Sequence, residues 1–597
     1  MSRRRVLFVQ LPIPPVGPQP IRGNVPLAAG YLILFARRRG LERDFDFSIL
    51  PPFIANTYSD LGLVEAILAA NPSVVGFSCY LWNIDRTLWI AERLKSKRPE
   101  LLIVFGGPEI SSDNAWVLNH LAVDVAVIGE GEQTFADLLV QLRDHGSPRP
   151  GSPGLYVRGR SLGPPPFRHP MPSLDEVSSP YLEGILDAAD EKLLLLETIR
   201  GCIFKCKFCY YPKSYDGLYF VPEEKIVANL RHAAERSVEE VVLLDPTLNQ
   251  RKDFHGFLRL LAKCNPDHQW TYFGELRGEG IKPETAALLR EANFTEVEVG
   301  LQSIDPRAQE LMDRKNGLKA FERGATAMMD AGLRVKVDLI IGLPGDTADS
   351  VREGLRYLHR TGLYHDVQVF QLSVLPGTAF RQEASELGLR YQPQPPYYVL
   401  ETPTMKLAEM ADLMAEAQEL FQCEFDAPAP PRLVFSSLDH VGPIEMIAVD
   451  LDVEPHSLPT PERRAQAMTL WMKANDFRRC MDRASTLASS LLRDNPHTTL
   501  QVVLEPRTGL RGITPDVLES VQAACLESPS YLDRFYAFQP GRARGAKRLI
   551  VLASIAERNA VELGVLESLG ASATIVWTGV DASSGDLEFA EFEEAPA

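Results

Sequence analysis

The length, composition and charge of the chain narrow its class before any motif is considered. It has 597 residues, 45% hydrophobic and 24% charged, enough for about three or four domains with substantial cores. Its formal net charge of −17 and sequence pI of about 5.3 argue against a general surface for nucleic acids or anionic membranes. No apolar run is long enough to span a bilayer. We therefore expect a cytoplasmic protein without nucleic-acid or membrane partners.

Residues 1–145 alternate short apolar segments with amphipathic ones, which predicts a doubly wound, Rossmann-like α/β sheet. The first apolar run is stopped by Pro12, Pro14 and Pro15, too early for a signal peptide, so it is interpreted as a strand. The predicted strands are Val6–Leu11, Val74–Ser78, Leu102–Phe105 and Val125–Ile128, and the predicted helices are Leu27–Arg39 and Ile84–Lys97.

Glycine and polar residues follow these strands, where a doubly wound sheet binds its ligand. Paired glycines let backbone amides approach a bulky ligand and its phosphate-bearing tail. By itself, the pattern indicates only a nucleotide-type crevice. The candidate ligand-binding residues are Pro12, Ser78, Tyr80, Leu81, Trp82, Asn83, Gly106, Gly107, Glu109, Gly129, Glu130, Gly131, Glu132 and Thr134.

Three cysteines, Cys202, Cys206 and Cys209, lie close together in the middle of the chain. Thiolates at this C-x3-C-x2-C spacing can bind three irons of a [4Fe-4S] cluster. A fully ligated cluster takes four thiolates, so one iron would stay open to an exchangeable ligand. Lys205 and Lys207 are expected to lower the pKa of the neighbouring thiols and so favour metal ligation.

Two other uses of these cysteines fit the sequence less well. A zinc site would need a second Cys/His pair, and the nearest candidates, His232 and Cys264, are lone residues. A disulfide framework is disfavoured because eight cysteines in 597 residues are sparse and show no regular spacing.

Residues 191–390 repeat a strand–helix pattern that predicts a parallel sheet covered by helices. The predicted strands are Leu193–Glu197, Val241–Leu244, Trp270–Phe273, Glu296–Leu301, Val335–Ile341 and Val367–Leu372. In barrels of this kind the chemistry lies at the carboxyl ends of the strands. Polar or glycine-rich residues follow these strands here, and the candidates among them are Asp245, Thr247, Asn249, Glu275, Arg277, Gln302, Ser303, Gly342 and Pro344.

The remaining segments are predicted from composition. Residues 146–190 are rich in Pro, Gly and Ser and are interpreted as a linker, and residues 391–431 as a connecting segment with a helix near 405–425. Residues 432–597 are interpreted as an α/β accessory domain of unknown role, with an acidic, solvated or disordered end from Asp586. Its predicted strands are Ile444–Leu451, Leu500–Leu504, Leu549–Ala553 and Ala573–Trp577, and its predicted helices are Glu462–Lys473 and Pro515–Leu526.

The cysteine loop resembles that of the radical S-adenosylmethionine (SAM) enzymes residue for residue. The resemblance implies a partial (β/α)6 barrel, SAM bound to the open iron, and cleavage of SAM to a deoxyadenosyl radical. It places Phe208 and Gly342–Pro344 near the adenine and residues 245–249 at the methionine amino group. It places Glu275 and Arg277 at the ribose and carboxylate, and Gln302 and Ser303 at a polar pair after the fourth strand.

The N-terminal region, with Gly23-Asn-Val-Pro-Leu-Ala-Ala-Gly30, resembles that of cobalamin-dependent radical SAM enzymes, in the same domain order. The resemblance implies that the crevice residues named above bind cobalamin. It departs from mutase-type cobalamin domains, whose Asp-x-His-x-x-Gly loop puts a histidine on cobalt, because the first histidine here is His120. The family packs a non-histidine residue of the loop corresponding to Tyr80–Asn83 on the lower face.

The resemblance implies a methyltransferase that acts on an unactivated carbon of a small molecule or peptide and receives electrons from a flavodoxin or ferredoxin. Cyclisation, ring rearrangement and peptide maturation stay open, as does a vestigial N-terminal domain that binds nothing. Methylthiotransferases need a second cysteine triad, but only Cys79 precedes Cys202. A non-enzymatic sensor is disfavoured because it would have no need of the ordered SAM positions.

Overall fold

The computed structural model of the chain describes residues 3–15, 21–163, 165–211, 214–427, 433, 442–453, 458–537, 545–558, 563–570 and 572–579. Within these ranges no helix is both long and apolar enough to cross a membrane. The acidic end predicted from Asp586 lies outside the described residues.

The N-terminal sheet has the strand order β2-β1-β3-β4-β5-β6, with five parallel strands and an antiparallel sixth. Its elements are β1 (Arg4–Gln10), α1 (Leu27–Arg38), β2 (Phe45–Ile49), α2 (Pro52–Thr57), α3 (Asp60–Ala69), β3 (Val74–Ser78), α4 (Ile84–Lys97), β4 (Leu102–Gly106), α5 (Ala115–Leu118), β5 (Val125–Val127), α6 (Gly131–His145) and β6 (Leu155–Val157). The predicted doubly wound sheet is confirmed. Its strand order changes direction between β1 and β3, and this switch point opens a crevice at the carboxyl ends of the strands.

Two strands of this sheet were not predicted. The edge strand β2 alternates apolar residues with Asp46 and Ser48, so it lacks the continuous apolar run of a central parallel strand. The short β6 lies inside the segment predicted as a linker. It pairs with β5, so the N-terminal sheet extends beyond residue 145.

All six predicted barrel strands are present, and the third is divided in two at Gly274. A Cβ at Gly274 would lie 2.4 Å from Leu248 Cδ1, so a larger residue here would require the buried Leu248 side chain to move. The barrel elements are β7 (Leu193–Leu196), β8 (Ile199–Arg200), β9 (Tyr219–Phe220), α7 (Glu223–Glu235), β10 (Glu240–Leu243), α8 (Phe254–Cys264), β11 (Thr271–Phe273), β12 (Glu275–Leu276), α9 (Pro283–Glu291), β13 (Glu296–Gln302), α10 (Pro306–Leu311), α11 (Leu318–Asp330), β14 (Arg334–Ile341), α12 (Ala348–Thr361) and β15 (Asp366–Gln371).

The barrel strands form two parallel sheets, β7-β10-β11 and β12-β13-β14-β15. A parallel bridge between Tyr272 and Phe294 connects them, so the six strands form one open, partial barrel. A short connecting region follows, with α13 (Ala379–Gln382), β16 (Arg390–Tyr391), β17 (Val399–Glu401) and α14 (Leu407–Phe421). The last of these is the helix predicted near residues 405–425.

The C-terminal domain is a five-stranded parallel sheet whose strands lie in chain order. Its elements are β18 (Ile444–Asp450), β19 (Arg464–Ala474), α15 (Phe477–Asp494), β20 (Thr499–Pro506), α16 (Pro515–Cys525), α17 (Tyr531–Phe535), β21 (Lys547–Ser554), α18 (Leu563–Gly570) and β22 (Thr574–Thr578). The predicted α/β class and its four predicted strands are confirmed.

The predicted helix Glu462–Lys473 is wrong, because this segment forms strand β19. Its Ala, Met and Leu residues favour a helix by propensity, but it pairs on both sides, with β18 and β20. Nine of its eleven residues are buried, so both of its faces are covered and the apolar residues show no two-residue alternation. Tertiary pairing therefore overrides local preference here.

Candidate active site

A cavity of about 150 Å³ lies at the carboxyl ends of the barrel strands, and Cys202, Cys206 and Cys209 all line it. Cys202 and Cys206 are buried and Cys209 is partly buried. All three are free thiols. Phe208, which the resemblance places near the adenine, lines the same cavity. Three thiolates beside a cavity are the donor set that a cluster with one open iron requires.

The cysteine loop is held from below by Asp245. Its Oδ1 accepts hydrogen bonds from the backbone N–H groups of Thr198 and Ile199, at 2.8 and 2.9 Å. Gln250 gives further support, because its Oε1 accepts from the Ile203 N–H at 3.0 Å and its Nε2 donates to the Gly201 carbonyl at 3.3 Å. Asp245 therefore lies under the loop and does not line the cavity.

Four of the nine polar or glycine candidates line this cavity, namely Thr247, Glu275, Arg277 and Gln302. The other four besides Asp245 are also absent from the lining. Asn249 exchanges hydrogen bonds with the Arg277 backbone, and Ser303 donates to Asp346 at 3.1 Å. A Cβ at Gly342 would meet Val399 at 2.5 Å, so this glycine admits the connecting region. Pro344, two residues further on, is likewise absent from the cavity lining.

Sequence reasoning missed three charged residues that line the cavity, Glu298, Arg314 and Asp338. A signal was present for two of them, since Glu298 and Asp338 are acids within predicted strands, each with an apolar residue on both sides in the sequence. Arg314 lies in the turn after α10, and nothing local distinguishes it. Its Nη1 is 3.9 Å from Cys206 Sγ, and its Nη2 bonds the Gly300 carbonyl.

Polar side chains line the cavity, and some of their oxygen atoms have no hydrogen-bond partner among the described residues. Asp338 Oδ1 and Gln302 Oε1 are buried without a hydrogen-bond partner among the described residues. Burial, together with the neighbouring Glu298, raises the pKa of Glu275 to about 7 and that of Asp338 to about 9. SAM carries an ammonium group and hydroxyl groups that donate hydrogen bonds, so these residues fit the SAM that the family binds.

The lowered pKa expected from the lysines is not found at Cys202 or Cys209. Burial raises the pKa of Cys202, and it raises the pKa of Cys209 to about 12. Lys205 is only a minor opposing influence on Cys202, and Lys207 is paired with Glu383 at 2.6 Å. Desolvation of the thiolate outweighs an exposed ammonium, so the metal itself must drive loss of the thiol protons.

A second cavity of about 540 Å³ lies at the switch point of the N-terminal sheet, where it meets the barrel. Phe8, Gln10, Ile13, Val25 and Leu27 contribute to its lining. Gln10 Oε1 is buried without a partner among the described residues. Nine predicted crevice residues also line it, namely Ser78, Tyr80, Trp82, Gly106, Gly107, Gly129, Glu130, Gly131 and Glu132.

The other five predicted crevice residues, Pro12, Leu81, Asn83, Glu109 and Thr134, are outside the lining. Asn83 shapes the loop, since its side chain donates to the Leu11 and Ser78 carbonyls at 2.9 and 3.1 Å. The Glu109 carboxylate accepts from Tyr397 Oη at 2.6 Å, in the connecting region. Leu81 packs on the C-terminal domain, and Thr134 donates to the Glu130 carbonyl at 3.3 Å.

The loop Tyr80–Asn83 presents two aromatic rings to the large cavity. Tyr80 and Trp82 are stacked, with ring centroids 4.5 Å apart and an interplanar angle of 5°. Gly129 faces open space there, with no atom within 4 Å of the position that a Cβ would take. An apolar, roomy cavity with flat aromatic surfaces and unpaired amide oxygen fits a corrin ring and its carboxamide side chains.

Residues close together in the chain line the two cavities. Leu195, Glu197, Arg200, Tyr215 and Leu244, all from the barrel, line the large cavity beside the N-terminal residues. Arg200 lies two positions before Cys202, at the start of the cysteine loop. One segment of chain therefore contributes to the walls of both cavities.

Comparison with known families agrees with this arrangement. The model of the "Radical SAM superfamily" matches residues 196–358, and the model of the "B12 binding domain" matches residues 26–139. The first match contains every residue that lines the cysteine cavity, and the second contains strands β2 to β5 of the N-terminal sheet. The 2-(S-pantetheinyl)-carbapenam-3-carboxylate methyltransferase of Streptantibioticus cattleyicolor is 27% identical over 71% of this chain and 63% of its own length.

A second relative, the cobalamin-dependent radical SAM methyltransferase TokK of Streptomyces tokunonensis, is 28% identical over 62% of this chain and 57% of its own length. The chain thus spans about 60% of these curated relatives. The radical SAM methyltransferase TsrM of Kitasatospora setae shares the fold, with a TM-score of 0.56 and 17% identity over 70% of this chain and 89% of that chain. The chain therefore contains a radical SAM domain and a B12-binding domain, the combination found in the cobalamin-dependent radical SAM methyltransferases that it resembles, and these two domains imply a [4Fe-4S] cluster, SAM and cobalamin as cofactors.

Proposed function

We propose that the protein is a methyltransferase that adds a methyl group to an unactivated carbon. The observation that carries the proposal is that Arg200, in the wall of the large N-terminal cavity, lies two positions before Cys202, in the wall of the cysteine cavity. When bound, SAM on the cluster supplies a deoxyadenosyl radical and cobalamin supplies a transferable methyl group. The two relatives described above are named methyltransferases, which supports this reading.

The chain's own residues bind, orient and shield. We propose that the three cysteines hold the cluster and that Thr247, Glu275, Arg277 and Gln302 contact SAM, together with Arg314 and Asp338. Tyr80 and Trp82 are the proposed flat support for the corrin. Asp245 and Asn83 act indirectly, by holding the two loops in place. The proposed units are an N-terminal domain extended to β6, the barrel, the connecting region and the accessory domain.

The proposed substrate is a small molecule or a peptide, bound between the barrel mouth and the loops near Pro12, Tyr80–Asn83 and Gly107–Glu109. We propose a flavodoxin-type or ferredoxin-type protein as the electron donor, in the reducing environment of the cytoplasm. Two exposed residues of the cysteine loop support docking of this donor at the loop. Ile203 is 53% exposed, and Lys205 is an exposed basic residue in a chain whose net charge is −17. An acidic donor would be attracted to such a local basic feature.

The decisive test measures the products of SAM in the anaerobic, reconstituted protein with cobalamin and candidate substrates. Methyl transfer of this kind yields both S-adenosylhomocysteine and 5′-deoxyadenosine in step with the methylated product. Deoxyadenosine without S-adenosylhomocysteine would contradict methylation and favour cyclisation, ring rearrangement or peptide maturation. Formation of neither product, with both cofactors loaded, would contradict an enzymatic role.

The Cys206→Ala variant should lose all deoxyadenosine formation, because two thiolates cannot hold the site-differentiated cluster. Iron and sulfide per chain should fall with it. The matched control is Cys423→Ala, since Cys423 is an exposed free thiol remote from the loop in sequence. Deoxyadenosine formation that survives in Cys206→Ala, measured by liquid chromatography, would refute the proposed cluster site.

A further inference from the structure

We propose that Arg200 is a positioning residue that fixes the cysteine loop, residues 200–209, against the wall of the large N-terminal cavity, the proposed cobalamin site. The inference rests on the proposed function for its two sites, and adds the side chain that sets their spacing. Arg200 is surrounded by three carboxylates, two from the N-terminal domain and one from the barrel. It is therefore bonded to both domains at once.

The N-terminal carboxylates come from the turn that begins α6. Arg200 Nη1 is 2.7 Å from Glu130 Oε1, and Nη2 is 2.7 Å from Glu132 Oε1. Glu130 is itself held, because its Oε2 accepts from the Met171 N–H at 2.7 Å. Both glutamates line the large cavity, so their positions define part of its wall.

The third carboxylate belongs to Glu197, directly after β7. Arg200 Nε lies 3.0 Å from both of its oxygens. The Tyr31 ring, from α1, faces the guanidinium with 5.7 Å between Cζ and the ring centroid. The exposed side-chain fraction is 6% for Arg200, 5% for Glu130 and 7% for Glu132. Only a rigid fork with donors on three nitrogens serves three acids in this way, and a lysine cannot replace it.

The backbone connects Arg200 directly to the cysteine loop. Arg200 pairs with Tyr219 in the β8–β9 hairpin, and only Gly201 separates it from Cys202. Gly201 has φ +94°, and a Cβ there would lie 2.1 Å from the Gly217 carbonyl oxygen, so this link is tightly packed. A shift of the Glu130–Glu132 turn must therefore move Cys202, and the reverse also holds.

The N-terminal domain makes other contacts with the rest of the chain, but they lead elsewhere. Glu109 bonds Tyr397 at 2.6 Å, and Asp113 accepts from the Gly377 N–H at 2.8 Å. These partners belong to the connecting region and the turn before α13. Of these contacts between the domains, the ion pairs of Arg200 are the ones that reach the start of the cysteine loop.

The test measures the spacing of the two cofactors directly. In the full-length, anaerobically reconstituted protein, the reduced [4Fe-4S] cluster and cob(II)alamin each carry an unpaired spin. Pulsed electron paramagnetic resonance reads their dipolar interaction, and equilibrium dialysis reads the Kd of cobalamin. We expect Arg200→Gln to raise this Kd at least about tenfold, since it leaves buried carboxylates unpaired. Arg200→Lys, studied at saturating cobalamin, should keep more affinity but broaden the dipolar spectrum.

The matched control is Arg352→Gln, which removes a bidentate pair with Glu416 between α12 and α14. It should leave both readouts at the wild-type value. If Arg200→Gln does not fold, Glu132→Gln supplies the same comparison with a smaller perturbation. Wild-type dipolar spectra in the Arg200 and Glu132 variants would overturn the proposal, even if cobalamin affinity fell. Absence of a methylated product, with the dipolar effect as expected, would count against the methyltransferase function alone.

Discussion

Asp338 is a single side chain whose burial and missing hydrogen-bond partner indicate a ligand site. It lies on β14 among apolar residues and is only 7% exposed. Its Oδ1 has no hydrogen-bond partner among the described residues, and the acids Glu298 and Glu275 are close enough to act on its charge. A buried acid in this state is costly to the empty protein. A site that binds a cationic, hydroxyl-rich ligand gives a reason to retain it.

The Asp338→Asn variant should stabilise the ligand-free protein, increasingly so as the pH rises. Burial raises the pKa of Asp338 from 3.8 to about 9, so the folded state holds a proton that the unfolded chain releases above pH 3.8. Folding therefore loses at most about 1.4 kcal/mol per pH unit in this window, and asparagine removes that loss. Thermal unfolding at pH 5 and pH 8 measures the gap between variant and wild type.

The exposed Asp267→Asn change is the control for that experiment, since it alters the same charge in water. A difference between Asp338→Asn and wild type that stays constant from pH 5 to pH 8 would contradict the raised pKa. In the same variant SAM should bind more weakly, because the amide offers one oxygen acceptor where the acid has two.

The β8–β9 hairpin is the element on which the cysteine loop depends. Its two-residue strands are too short to be stable alone. They are held by the Asp245 carboxylate, which accepts from the Ile199 N–H, and by the ion pair of Arg200 with Glu130. Gly201 lies between hairpin and loop with a positive φ that L-amino acids avoid. The geometry of the loop thus comes from contacts outside it.

The Gly201→Ala variant should lose iron, because alanine costs about 1–2 kcal/mol at positive φ before its clash with the Gly217 carbonyl is counted. Gly217→Ala is the matched control, since its Cβ would meet no atom within 4 Å. Iron and sulfide per chain after reconstitution are the measurement. Equal iron in Gly201→Ala and Gly217→Ala would show that the loop does not need this backbone conformation.

The C-terminal domain is joined to the N-terminal domain through Asp60. This fully buried residue of α3 accepts from Arg86 Nε at 2.7 Å and from the backbone N–H of His497 at 2.9 Å. A bridge between Tyr58 and Ala465 connects the same two domains. These contacts place the accessory domain on the cobalamin domain, and Arg534 of α17 adds an ion pair with Asp85.

The Asp60→Asn variant should lower stability by about 3–5 kcal/mol, because it leaves the Arg86 guanidinium buried without a counter-charge. Burial already opposes the charge on Arg86 and lowers its pKa, with Asp60 as the compensating group. Chemical unfolding, followed by circular dichroism, gives the change. The exposed pair Lys97–Glu65 is the contrast, and Glu65→Gln should change stability by less than about 1 kcal/mol. Similar losses in both variants would contradict the role given to Asp60.

Much of this molecule can be predicted from local patterns. The cysteine spacing, the six barrel strands and four of the six strands of the N-terminal sheet follow from residue types and periodicity, which act over a few residues. Strand β19 could not be predicted in this way, because its buried pairing with β18 and β20 depends on segments elsewhere in the chain. The edge strand β2 was missed for the opposite reason, since half of it faces solvent.

The residues of the candidate site differ in the same way, since local sequence identifies some of them and only the tertiary structure identifies the others. Local sequence determined which residues could carry the chemistry: a thiol triad, an aromatic neighbour and polar residues at strand ends. Only the tertiary structure decided that Asp245 supports the loop from below, that Arg314 and Asp338 line the cavity, and that Arg200 meets a turn 70 positions earlier in the chain. The physical reason is that a motif is set by spacing along the backbone. A cavity wall or a buried ion-pair cluster is set by which distant strands pack together.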